Sequence, residues 1–455
     1  MITGFDYGTS NCAMGVVRPE GHVELLSIEQ GKAFMPSTLY ALDRDLICEQ
    51  VGLNIHDAQI KQDYISLRSG PLARAQRVRR EEGFDSQEQS LFVGQDAFNQ
   101  YLAWPSEGYF VKSPKSFLGA SGLRPEFIAF FEDIVTAMIQ GIKQRAEAQL
   151  GENISHTVIG RPVNFQGLHA EKSNKQAIDI LTIAAKRAGF KSVEFLFEPI
   201  AAGLNFEERL TTDKTVLVVD VGGGTTDCAM VRMGPNHKHK ELRQDDFIGH
   251  SGERIGGNDL DIQLAGKNLM PLFGMKSTLK NGLHVPTKAY WDAVSTNDVG
   301  AQTTFNHQQT GLHLDQLLRD CSEPELIKRF INLRNEKQNH HVVRSAEQAK
   351  IALSSAELTH VDIGYIEKEL GCDVSQNQFA KAIERPLQKM LDLMEEAIKQ
   401  AGGLPDLIYV TGGSAQSPVL RKAIEQKLGS IEVVDGDHFG SVAAGLSVWA
   451  KRIFS

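Results

Sequence analysis

The stretch "GFDYGTSNCAMG" at residues 4–15 has a near-copy at residues 218–231, "VVDVGGGTTDCAMV". In each, an aspartate follows apolar residues, small and hydroxyl residues follow the aspartate, and Cys-Ala-Met closes the run. A second pair of landmarks keeps the same order. "EPIAAGLNF" (198–206) and "GSVAAGLSVWA" (440–450) share an Ile/Val-Ala-Ala-Gly-Leu core. Each half of the chain therefore opens on an Asp-x-Gly turn and closes on a small-residue helix. This order predicts a duplicated α/β unit, two lobes with a cleft between them.

Strand and helix signals support that division. "TVLVVDVG" (215–222) is a continuous β-branched run, as expected of a strand buried on both faces. "CAMGVV" and "CAMVRM" are expected to return as paired strands, which makes each motif a strand-turn-strand. "HTVIGRPVNF" reads as strand and loop, and the helix after it has its stop at Gly189. "LIYVTGG" and "EVVD" are further strands, and Pro199 suits the first turn of a helix. Lobe I is expected over 1–210, with an insertion at about 36–119 and a closing helix at about 438–455. Lobe II is expected over 211–437, with an insertion at about 253–365. The charged region 40–90 and the Asn-, His- and Gln-rich region 267–345 are expected to decorate the lobes as ordered subdomains. Ser322 and Glu325 are read as a capping box before "LIKRFINLRNEK".

The 455 residues are 41% apolar and 23% charged, enough to bury two cores. A net charge of −9 argues against nucleic-acid or anionic-membrane partners. The basic runs "RAQRVRR" (74–80) and "NHKHK" (236–240) are expected on solvated faces. Five scattered cysteines with no CxxC pair suit a reducing cytosol and offer no zinc site. His340 and His341 are read as a surface pair. "FIAFFEDIVTAMIQGI" (127–142) carries Glu132 and Asp133 and reads as an amphipathic core helix, not a membrane span. No secretory signal is expected from the opening "MITGFDYG", and a cytoplasmic protein is expected.

A glycine-rich turn between strands lets several backbone N–H groups point at one anion, because no side chain blocks the approach of a phosphate. Thr9, Ser10, Thr225 and Thr226 add hydroxyls. Asp6, Asp220 and Asp227 would repel phosphate but suit a hydrated Mg²⁺, which binds through few carboxylates and keeps most of its waters. Two such turns facing each other would clamp the β- and γ-phosphates of a nucleotide. No GxxxxGKS/T motif occurs, so this is not a P-loop protein.

With these motifs in place, the sequence resembles the actin-like ATPase superfamily (a ribonuclease H-like fold). Within it, the resemblance is to the DnaK-type, seventy-kilodalton heat-shock chaperones. "GFDYGTSN" and "VVDVGGGTTD" are similar to the family's two phosphate loops, "GGNDLD" to the loop that follows and "VTGGSAQSP" to its adenosine loop. "VGQDAFNQ" (93–100) and "FVKSPKSFLG" (110–119) match segments of the first lobe. The resemblance implies ATP or ADP with Mg²⁺ in the cleft. Gly8, Thr9, Ser10 and Asn11 would line the phosphates from one side, and Gly222, Gly223, Gly224 and Thr225 from the other, with Gly256 and Gly257 close by. Asp6 and Asp220 would hold the waters of Mg²⁺. Glu198 would arrange the attacking water, and Pro162 would relay nucleotide state. Glu347, Lys350 and Ser354 would meet ribose and adenine, and Gly412, Gly413 and Ser414 would complete that pocket. Catalysis would fall to Glu198, Asp6, Asp220 and Thr225.

Three departures qualify the resemblance. The family's lysine near the γ-phosphate is replaced here by Phe98, which implies slow or absent hydrolysis, and Phe98→Lys is then expected to raise the rate. Lys112 and Lys115 are the candidates to stand in for it. The arginines that stack on adenine align with Ile351 and Gln416. No segment resembles the family's peptide-binding sandwich, so a partner or client protein is expected on 40–90 or 267–345. The expected activity is thus that of an ATP-binding, chaperone-like protein with weak ATPase turnover. The alternatives are a small-molecule kinase, for which Asp96 is the available base, and a non-hydrolysing interaction protein stabilised by nucleotide. A filament-forming relative fits poorly with the large insertions.

Overall fold

The apolar run of the second motif becomes the strand Lys214–Val221, paired antiparallel to Thr226–Met233 and parallel to Leu407–Thr411. Its counterpart, Ile2–Tyr7, pairs antiparallel to Asn11–Val17 and parallel to His156–Arg161. This computed structural model describes residues 1–85, 88–120, 122–165, 170–238, 240, 244–429, 431–436 and 440–455. The first sheet runs Val23–Leu25, Asn11–Val17, Ile2–Tyr7, His156–Arg161, Ser192–Phe197, and Met35–Pro36 joins its second member. The other runs Phe247–Glu253, Thr226–Met233, Lys214–Val221, Leu407–Thr411, Glu432–Asp435. Setting Met35–Pro36 aside, in chain order both sheets read third, second, first, fourth, fifth. A strand-turn-strand needs an antiparallel neighbour, whereas the later strands return through helices and pair in parallel.

The second pair of landmarks joins the lobes. The helices Glu198–Glu207 and Ser441–Phe454 pack against each other, and the latter also lies along Ile2–Tyr7. Gly445 meets the backbone of Ala201 so closely that a methyl group there would overlap its carbonyl. Small residues at this crossing let Val158, Ala202, Val218, Val231 and Leu446 form one apolar cluster that includes strands of both sheets. The expected start of the closing helix at 438 lies outside the described residues. So does His239 of the "NHKHK" run, whose Lys238 and Lys240 pair with Glu208 and Asp246.

Region 40–90 is mostly helical: Leu46–Leu53, Ala58–Leu67 and Ser69–Glu82. A small sheet of Leu91–Val93, Thr38–Ala41 and Tyr109–Lys112 brackets these helices in the chain. Arg68 anchors these helices to the long helix Pro125–Leu150 by pairing with Glu132 at 2.8 Å and Asp133 at 2.9 Å. Asp133 is only 3% exposed, while Phe127 of the same helix is 43% exposed. Its polar face is thus turned partly inward by the buried arginines Arg68 and Arg187. Arg79 of the basic run is likewise spent on a half-buried pair with Glu49.

Region 267–345 is also helical, packed on Tyr290, Phe305 and Phe330. Two expectations fail there. Ser322 does not cap the helix Pro324–Asn335: Pro324 takes the first turn, and the Ser322 hydroxyl donates to the Thr278 carbonyl at 2.7 Å. His340 and His341 are not a surface pair. The His340 ring packs edge-on against Tyr101 and Phe110, and His341 stacks on Tyr365 at 3.5 Å. Burial keeps both neutral, His340 pushed down to about 3, with Lys112 adding to the effect, and His341 to about 4. No described helix is long and apolar enough to cross a membrane.

Candidate functional site

The two Asp-x-Gly turns face each other across the gap between the sheets. Gly223 lies against Ser10 and Gly224 against Thr9, where a methyl group on Gly224 would come within 2.6 Å of the threonine Cγ2. Any larger residue at either position would push the lobes apart, which is the physical reason for glycine at both. The first turn is braced from behind: the Ser37 hydroxyl donates to the Gly8 carbonyl at 2.6 Å, and Ser37 N donates to the Ser10 carbonyl. The second is braced by the loop "GGNDLD", with Gly257 N donating to Gly222 O at 2.9 Å and Asn258 N to Gly223 O at 2.7 Å.

Of the residues singled out from the sequence, the cleft brings together Asp6, Gly8, Thr9, Ser10, Asn11, Glu198, Asp220, Gly222, Gly223, Thr225, Gly257, Glu347, Lys350, Gly412, Gly413 and Ser414. Others are set back from its lining. Thr226, whose hydroxyl donates to the Ile255 carbonyl at 2.7 Å, and Asp227 are buried behind it. Gly224 is covered by Thr9, Gly256 packs on the backbone of Gly222 and Gly223, and the Ser354 hydroxyl donates to the Lys350 carbonyl. Phe34, Ser441 and Val442 line the cleft without having been anticipated. Ile351, 58% exposed, offers an apolar surface at the rim, while Gln416 is exposed outside the lining.

The acidic residues crowd one another. Burial first, then Glu198, raise Asp6 to about 7. Burial, Glu198, Asp227 and Asp6 push Asp220 well above the usual carboxylate range. Burial and Glu198 raise Asp227 to about 7. Such crowding is relieved by a cation. Among the described residues, no three His, Cys, Asp or Glu are spaced to hold a metal directly. A hydrated Mg²⁺ asks for less than that, and Asp6 and Asp220, both opening into the cleft, are the donors that fit it.

The structure separates the two candidate lysines. Lys112 crosses to the second lobe and pairs with Glu347 at 3.0 Å, where Arg344 also binds at 2.9 Å. Burial raises Glu347, but Lys112, Arg344 and Lys350 together outweigh it and hold the carboxylate well below its usual range. Lys115 turns inward and donates to Glu198 Oε1, with its side chain 4% exposed. Burial works against its charge, yet Glu198 and Asp6 raise its pKa overall. Lys350 pairs with Asp261 at 2.8 Å and donates to the Gly257 carbonyl.

Phe98 does not face the cleft. It lies on the helix Gln95–Ala103, 6% exposed, edge-on to Phe110 at 5.7 Å and Tyr101 at 6.1 Å. Arg344 lies 5.2 Å from its centroid. An apolar ring at this position seeks its aromatic neighbours and not the phosphates. Asp96 on the same helix faces away, toward Gln30 and Arg145. Sequence reasoning missed Asn258, whose amide donates to Ser113 Oγ at 3.1 Å while its carbonyl accepts from Ser10 at 3.2 Å. Its place inside the Gly-Gly-Asn-Asp loop was the available signal. Beyond buried Pro162, Val163 N donates to Asp227 Oδ1 at 2.7 Å, so that loop links the first lobe to the second aspartate strand.

The family model "Hsp70 protein" matches residues 126–269 and 299–451. Among curated proteins, Heat shock 70 kDa protein 13 of Mus musculus is 24% identical over 465 residues, spanning 99% of this chain and 88% of that protein. Heat shock 70 kDa protein 13 of Homo sapiens is 23% identical over 470 residues, with the same coverage.

Proposed function

Because the chain belongs to the Hsp70 family, we propose that it is a chaperone-like protein that binds ATP with Mg²⁺ between its lobes, hydrolyses it slowly and shifts its lobes with nucleotide state. The observation that carries this reading is the meeting of Gly223 and Gly224 with Ser10 and Thr9, with Asp6, Glu198 and Asp220 opening beside them. Backbone N–H groups of both turns receive the β- and γ-phosphates. Mg²⁺, when bound, supplies charge neutralisation and ordered waters; Asp6 and Asp220 hold those waters. Glu198 orients a water and accepts its proton. The water oxygen bonds to Pγ as the bond from Pγ to the ADP oxygen breaks, leaving ADP and phosphate. Glu347, Lys350 and Gly412–Ser414 receive the nucleoside, with Ile351 as an apolar platform for the base. Movement of the lobes would be transmitted through the hydrogen bond from Val163 to Asp227. A partner protein would meet regions 40–90 and 267–345, which expose Leu67, Leu283 and Leu312. A kinase reading lacks a base, since Asp96 is tied to Gln30 on the outside of its helix.

The test is a single turnover with protein in excess over γ-labelled ATP and Mg²⁺, following bound ATP and released phosphate together. ATP that binds and slowly becomes ADP is the expected result. ATP that stays intact over hours leaves a nucleotide-stabilised binding protein, and no binding at all rejects the reading.

A further inference from the structure

Lys115 occupies an uncommon position for a lysine. Its side chain is almost wholly buried, and it reaches Glu198 from behind the cleft and not from the phosphate side. The backbone has to turn sharply to put it there. Ser113 adopts a left-handed conformation at φ 57°, which is costly for a residue with a Cβ, and Pro114 then begins a short 3-10 turn that carries Lys115 inward. The turn is held from both sides: Ser113 N donates to Ser37 O at 2.8 Å, and Asn258 of the second lobe donates to Ser113 Oγ. Among the described residues, Lys115 is the only cation hydrogen-bonded to Glu198. Arg161, the other cation nearby, donates to the carbonyls of Pro162 and Val163.

A buried ion pair adds little net stability once desolvation is counted, so its value here is geometric. With Oε1 committed to Lys115, Oε2 is the oxygen left to a water in the cleft. We propose that Lys115 is the positioning residue of the site: it fixes Glu198 so that Oε2 faces the attacking water, and its buried charge offsets the carboxylates gathered beside the phosphates. The cation of this site thus arrives through the base instead of through a direct contact with the γ-phosphate, while position 98 serves packing. This role rests on the hydrolysis proposed above.

The experiment uses the full chain and single-turnover phosphate release from Mg·ATP, with ATP affinity measured separately. Lys115→Met is expected to bind Mg·ATP within about fivefold of the wild type and to release phosphate roughly 10²-fold more slowly, the loss typical of a misplaced catalytic group. Lys115→Arg should recover most of the rate. Glu198→Gln should lose a similar factor, and adding Lys115→Met to it should lower the rate no further, because the lysine acts through that carboxylate. If Lys115→Met does not fold, Lys115→Gln, which keeps a hydrogen bond without the charge, replaces it. A Lys115→Met rate equal to wild type, or a double variant whose losses multiply, overturns the role while leaving ATP hydrolysis standing. A wild-type protein that turns over no ATP removes both.

Discussion

Replacing Phe98 by lysine separates the packing role from the phosphate role most directly. Alignment alone expects Phe98→Lys to accelerate turnover; the structure expects the reverse. The ring is 6% exposed and touches Tyr101 and Phe110 edge-on, with Arg344 over its face. Removing a buried phenyl group forfeits about 1.5–3 kcal/mol of burial. Two edge-on aromatic pairs add about 0.5–1.5 kcal/mol each. The cation–π contact, worth about 0.5–1 kcal/mol, becomes a repulsion between two cations. Part of this returns if the lysine stem lies along the apolar surface with its ammonium in water, so a net loss of about 3–5 kcal/mol is expected. Because Arg344 belongs to the second lobe, the loss falls on the contact between lobes as well as on the first lobe's own core. Thermal melts should fall by about 5–15 °C, and single-turnover hydrolysis should stay at or below the wild-type rate. A variant that melts within about 2 °C of wild type and hydrolyses ATP tenfold faster or more would refute the reasoning: a lysine at 98 would then reach the phosphates, and the aromatic cluster would not be a structural joint.

The crowded carboxylates predict an exchange of stability for function. Asp220→Asn should raise the stability of the nucleotide-free protein by about 0.5–2 kcal/mol, while abolishing the further stabilisation by Mg·ATP; paired melts with and without Mg·ATP read both, and a lower nucleotide-free melting point counts against the crowding. His340 has its pKa lowered to about 3 by burial and by Lys112. Between pH 6.5 and about 3 the unfolded chain therefore binds the extra proton, and stability falls as pH falls through that window, approaching about 1.4 kcal/mol per pH unit for this group. Urea midpoints of wild type and His340→Gln at pH 7.5 and 5.5 isolate it, since the oppositely shifted Asp6 and Asp227 are common to both. The variant should lose about 1 kcal/mol less on acidification, and parallel losses would show that His340 is not the group involved. Arg68→Ala leaves Asp133 and Glu132 with Arg187 alone, and should cost about 3 kcal/mol. It should also open the helices at 58–82 to limited proteolysis, whereas an unchanged cleavage pattern would mean that apolar packing holds them.

Much of the frame is legible in the sequence, because its signals are local. An aspartate after a β-branched run, followed by glycines and hydroxyls, dictates strand and turn through backbone sterics alone. Finding it twice with matched small-residue helices establishes the duplicated architecture. The residues of the two turns, Glu198 and the Gly412–Ser414 loop come to one cleft because each belongs to such a local signal. Apart from the capping box misread before Pro324, what failed was long-range. A helix of Phe and Ile periodicity did not reveal that Asp133 faces inward, because its partner Arg68 is 65 residues earlier in the chain. A histidine pair looked solvated until Tyr101 and Phe110 came over from the other lobe.

The two lysines mark the same boundary. Both lysines of "FVKSPKSFLG" were equivalent candidates to stand in for the family's lysine, and the sequence did not show that either reaches the cleft. Only the tertiary structure decided that Lys112 reaches across to Glu347 while Lys115 turns back to Glu198. The cause is the direction in which one turn at Ser113 and Pro114 sends the chain, and that direction is set by Ser37 and Asn258, residues far away in sequence. Sequence alone determined which backbone turns this protein makes; which charges those turns bring together was decided by the packing of one lobe on the other, since ion pairing depends on distances that no local pattern encodes.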